Sequence, residues 1–221
     1  MNKTIANIMH DNKGWYNPFI YVAGNHALWA GLLIITLASL IGYYSGVHFP
    51  GVLDGKIGWQ GSFPMHLSLS VIAWLSMVIV LYPMARILSP SKVRLVDIAG
   101  TQALARTPMI LSAIVGLPNV LDKVSTSIMY RMAEYMEGFA NIEVEEWADP
   151  GPLSSWEISL AIFITLVFIL ATVWMVALMY HAYRVSSNLK GNRAGVSFTI
   201  GLLIAQAISN IAVFQWVRWV L

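Results

Sequence analysis

The stretch LWAGLLIITLASLIGYY, residues 28–44, decides the fold. It holds no charged side chain, and with its flanks it reaches the length of about 20 apolar residues that a helix needs to cross a bilayer. In hydrocarbon only a helix or a closed barrel satisfies its own backbone, so a run of this kind reads as a spanning helix. Working outward, four further segments pass the same test, and the expected spans are 25–46, 65–88, 98–117, 158–183 and 196–217. The first is closed by Gly46 and Pro50, the second opens after Pro64, and Ser154 with Glu157 has capping-box spacing just before the fourth. Trp216, Arg218 and Trp219 form an interfacial anchor at the end of the fifth. The third is the least apolar, because Thr101, Gln102 and Arg106 precede Pro108.

Composition agrees with lipid as the solvent. Of 221 residues, 57% are apolar and 11% charged, against about 25% charged in a soluble domain. The expected fold is therefore all-α: one membrane domain over residues 1–221, a bundle of five transmembrane helices plus an external amphipathic helix. The residues before the first span are polar and mixed, so no cleaved signal peptide is expected. The absence of cysteine excludes disulfides, thiolate nucleophiles and Cys-ligated metal sites. A net charge of +2, with the basic residues scattered over short loops, gives no footprint for nucleic acid.

Lys and Arg accumulate in cytoplasmic loops. Eight fall on one side (Lys3, Lys13, Arg86, Lys92, Arg94, Arg184, Lys190, Arg193) and four on the other (Lys56, Lys123, Arg131, Arg218), with Arg106 inside a span. The expected orientation in the cytoplasmic (inner) membrane is N-terminus inside and C-terminus outside. Eight of the eleven acidic residues lie between positions 122 and 157, in the long external loop 118–157. There Leu121, Val124, Ile128, Met132, Tyr135 and Phe139 recur at steps of three and four, the pattern of a surface helix with one apolar stripe. Such a stripe should rest on the membrane or on a partner. The acidic run Glu143, Glu145, Glu146 and Asp149, interrupted by Trp147, reads as a solvated strip or docking surface. It lacks the loop pattern and glycine of an EF-hand, so no metal is expected there.

The catalytic motifs sought are missing: no phosphate-binding Gly-rich loop, no Gly-x-Ser-x-Gly elbow, no His-Glu-x-x-His pair. Neither enzymatic activity nor a cofactor is expected. The five histidines are spread over both sides, although His48 and His66 share the outer one. Arg106 stands out, since an arginine within a span costs about 2.5–3.5 kcal/mol on insertion scales and should face the bundle interior. Pro108 frees the carbonyl of Leu104, for which Arg106, Gln102 or a neighbouring helix is a candidate donor, and Pro83 frees that of Ile79. Asp97 lies nine residues earlier, on nearly the opposite helix face, and so is no intrahelical partner for Arg106. Asp97, Thr101, Gln102 and Arg106 make up a candidate intramembrane polar site, read either as a clamp between helices or as a headgroup or substrate site.

With Asn17-Pro18-Phe19, the stretch GVHFPGV from Gly46 to Val52, and DIAGTQALARTP from Asp97 to Pro108, the chain resembles a bacterial member of the Yip (Ypt/Rab-interacting protein) domain family. The resemblance implies five spans and a non-enzymatic role. Eukaryotic relatives bind small GTPases and have a longer cytosolic N-terminal region, so the resemblance does not carry that activity over. A bacterial member is in some cases an accessory factor to an ABC exporter of the macrolide-efflux type. The expected function is an accessory or scaffold subunit of an inner-membrane transport assembly. Its membrane protein partner would dock on Leu121, Ile128, Met132, Tyr135, Glu143, Glu145, Glu146 and Trp147. The alternative is a small transporter or channel with a polar path at Arg106.

Overall fold

The structure is a computed structural model that describes residues 17–58, 61–140 and 151–220. Seven helices carry the described part: α1 Gly24–Ser45, α2 Phe63–Leu88, α3 Leu95–Leu104, α4 Pro108–Val115, α5 Val120–Ala140, α6 Ser155–Ser187 and α7 Gly191–Val220. Five helical segments, α3 and α4 counting as one, are long and apolar enough to cross a membrane. The all-α polytopic fold is the expected one. The helices extend past the expected bounds, α6 to Ser187 and α7 back to Gly191, because an apolar window marks only the part of a helix that lipid covers.

Local chemistry explains the ends. Gly46 terminates α1 in the left-handed region (φ 67°) and Asn188 does the same for α6 (φ 54°), the backbone conformation of a helix C-terminus. The capping box at α6 is complete: the Glu157 amide donates to Ser154 Oγ at 3.2 Å, and the Ser154 amide to Glu157 Oε2 at 2.9 Å. Pro64 sits in the first turn of α2, where its missing N–H costs nothing. Pro83 lies inside α2, which runs unbroken to Leu88.

The third span differs from the expected continuous helix, for it breaks at Ala105–Arg106–Thr107 into α3 and α4. Pro108 is the cause, since it cannot donate to Leu104 and its ring crowds that carbonyl. The freed oxygen is satisfied by Thr107, whose amide donates at 3.2 Å and whose hydroxyl at 2.7 Å, rather than by Arg106 or Gln102. The broken span is also the most enclosed of the five. It is packed by α1, α2 and α6, which is why it alone tolerates so polar a sequence. Against α1 the approach is close: a Cβ at Gly100 would lie 2.7 Å from both the Gly24 oxygen and the Leu28 nitrogen.

The connection between α1 and α2 enters the bundle. Val47–His48 pairs antiparallel with Lys56–Ile57, and the chain between them is buried from Phe49 to Val52. It packs beside Met109 and Ser112 of α4 and Phe168, Ala171 and Met175 of α6. Non-helical backbone at such depth survives only inside protein. Here α7 supplies its partners: Gln206 Oε1 accepts from the Leu53 amide at 2.9 Å, and Ser209 Oγ donates to the Pro50 carbonyl at 3.3 Å.

Candidate functional site

The polar residues of α3 divide into two groups with different work. Asp97, in the first turn, receives the Arg94 guanidinium through two bonds of 2.8 and 2.9 Å, a bidentate pair at the helix end. Its carbonyl also accepts from Thr101 Oγ1 at 2.6 Å and from Ser186 Oγ at 3.3 Å, and the two hydroxyls lie 2.9 Å apart. One turn on, Gln102 Nε2 donates to the Met179 carbonyl of α6 at 2.9 Å. From the opposite side Trp74 of α2 donates its indole N–H to the Ala99 carbonyl at 2.9 Å. These bonds stitch α2, α3 and α6 together around the buried Thr101 and Gln102, where an unmade bond would leave a costly buried group.

Arg106 takes no part in that stitching. Its side chain is fully buried, its Nη1 donates to Met109 Sδ at 3.6 Å, and its Nε and Nη2 meet no hydrogen-bond partner among the described residues. The clamp between helices is thus built by Thr101 and Gln102, and Arg106 stands beyond it at the break between α3 and α4. The sequence pattern had put these side chains in one site because they are the polar members of one span. It could not show that the break turns the last of them into a different environment.

A second polar cluster was not anticipated. Gln206 Nε2 donates to Asp54 Oδ2 at 2.8 Å and to Asn210 Oδ1 at 3.2 Å while its oxygen holds the Leu53 amide. The signal for it was Gln206, Ser209 and Asn210 within the otherwise apolar middle of α7, residues 200–214. At the mouth of the same loop the His48 and His66 rings pack edge to face at 6.0 Å, and Tyr43 packs on His66 at the same spacing. Burial first, then the His66 and Lys56 charges, hold the His48 imidazole down at about 4, against the Gly46 backbone bond that raises it. Among the described residues no group of three His, Asp or Glu is spaced to hold a metal ion.

The surface helix α5 is tied down by Lys123 Nζ on Glu157 Oε1 at 2.6 Å. Its inward line runs through Lys123 and the buried Ser127, and Leu121 is half-buried. Ile128, Met132 and Tyr135 are 51%, 61% and 69% exposed, so the middle of the apolar stripe, at Ile128 and Met132, faces away from the described bundle. Glu143, Glu145, Glu146 and Trp147 lie outside the described residues.

A family model, the Yip1 domain, matches residues 2–213. The chain belongs to the Yip1 family. The match takes in every candidate residue of the chain, from Asp54 and the α3 cluster to α5 and Gln206. No curated protein and no solved structure matches the chain.

Proposed function

We propose that this Yip1 protein is a non-enzymatic accessory or scaffold subunit of a transport assembly in the cytoplasmic membrane, with its N-terminus inside and its C-terminus outside. An ABC exporter of the macrolide-efflux type is the partner class that the family resemblance suggests. One observation carries the reading: α5 is held to α6 by the Lys123–Glu157 pair yet presents Ile128 and Met132 outward. An apolar stripe on a fixed helix is the kind of surface that a partner helix or groove covers. The excess of basic residues at the other end of the bundle supports the orientation.

The alternative, a polar path through Arg106, has less support, because that side chain is fully buried and closed to any path in this conformation. The test is a photo-crosslinking residue at Met132, with a second at the lipid-facing Leu170 as control, followed by mild-detergent purification from the native membrane. A discrete crosslink to a transport-assembly subunit from position 132 and none from 170 is expected. Recovery of the uncrosslinked chain from both would contradict the scaffold role.

A further inference from the structure

Between the C-terminal end of α2 and the N-terminal end of α7 lies a groove of ≈ 470 Å³, lined by Met84, Leu88, Asn192, Arg193, Val196, Ser197 and Ile200, with the Ser197 hydroxyl turned to the Arg193 carbonyl of its own helix at 2.6 Å. Deeper in the bundle the same helices close on each other. A Cβ at Gly201 would lie 2.6 Å from Leu81 Cδ2 and 3.1 Å from Met84 Sδ, so the groove has a floor there and opens toward the end of the bundle. Its polarity is graded. Arg193 and Asn192 stand at the open end, and Val196 and then Ile200 follow on the same face of α7, about 4.5 and 10 Å deeper at 1.5 Å per residue. On the antiparallel α2, Leu88 and then Met84 descend alongside. Leu88, Val196 and Ile200 are 44%, 59% and 48% exposed, so the groove is open to lipid.

Charge at this end is one-sided. Residues 79–98 and 180–200 contain six basic side chains, Arg86, Lys92, Arg94, Arg184, Lys190 and Arg193, and one acid, Asp97, which Arg94 neutralises. Arg86 is engaged with Tyr82 of its own helix, through a 3.0 Å hydrogen bond and its ring face. Arg193 is in no ion pair among the described residues, and it sits in the first turn of α7, where free amides and the helix dipole add to its positive field.

We propose that this groove is a binding site for one anionic phospholipid, the phosphate at Arg193 and Asn192 and an acyl chain along Val196, Ile200, Leu88 and Met84. A phospholipid has the same order of chemistry along its length as the groove. Basic pockets between spans recognise anionic headgroups, and each Lys or Arg near an anionic membrane surface contributes about 1 kcal/mol. The site stands whether or not α5 carries a partner.

The experiment measures lipid retention by the purified full chain in nanodiscs or by native mass spectrometry, with dioleoyl phosphatidylglycerol and dioleoyl phosphatidylcholine as probes. Preferential retention of phosphatidylglycerol is expected, weakened about fivefold in Arg193→Ala and kept in Arg193→Lys. Ile200→Trp, which fills the groove with an apolar ring, should abolish the retention while leaving thermal unfolding in place. Equal retention of the two lipids by the unaltered chain would overturn the site, as would a preference that survives both Arg193→Ala and Ile200→Trp.

Discussion

Arg106 shows how little a polar residue's presence in a span says about its work. Thr101 and Gln102 join helices, whereas the Arg106 side chain has Met109 Sδ as its one hydrogen-bond partner among the described residues. Replacing a buried polar group of this kind by an apolar one of similar length removes a desolvation penalty. Arg106→Met should therefore stabilise the protein, by about 1–4 kcal/mol, the gain seen when buried ionic groups are replaced by apolar ones of similar volume. Thermal unfolding in detergent reads this, and a clear loss of stability would mean that the guanidinium has work that the geometry does not show. His48 gives a prediction of opposite character. Its imidazole binds a proton near 6.5 when unfolded and only near 4 when folded. The unfolded chain therefore takes up the extra proton in that window, and stability is lost as pH falls from about 6.5 towards 4. His48→Gln should flatten the decline in melting temperature across that range; an unchanged slope would place the cause elsewhere. At this scale the sequence marked Arg106 by its cost in lipid, yet the roles of Thr107 and Trp74 depend on which carbonyl lies within 3 Å, and no pattern along the chain encodes that.

Elements were legible in proportion to how uniform their surroundings are. α1, α2, α6 and α7 face lipid along much of their length, so a simple count of apolar residues finds them. The capping box of α6 was visible too, being wholly local. The third span was seen, but its division at Arg106 follows from Pro108 acting with Thr107, and the extent of such a break depends on packing. Least legible was the loop at residues 46–58. Its sequence of Gly, Pro and Asp reads as an external connection, and its burial rests on Gln206, 153 residues away from Leu53. Gln206→Leu would strand the Leu53 amide and one Asp54 oxygen, and should cost about 1–3 kcal/mol. It should also raise hydrogen exchange within residues 49–55 while the exchange of α6 stays low. Exchange rising equally in both would show that the loop is not a separately held unit.

For the whole molecule, one physical requirement organises the rest: backbone in hydrocarbon must be satisfied by its own helix or enclosed by other protein. The lipid-facing helices meet it in the first way and the inserted loop and the α3–α4 break in the second. The same requirement places the chain's ends, since five crossings put α5 and the basic loops on opposite sides. The chain contains no cysteine, so single cysteines report position without background. The most direct measurement is labelling of Lys56→Cys, Lys92→Cys, Ser125→Cys and Lys190→Cys with a membrane-impermeant maleimide, before and after permeabilising cells. Positions 56 and 125 should react in intact cells, and 92 and 190 only after permeabilisation. Reaction of 125 and 190 from the same face would contradict the five-span arrangement.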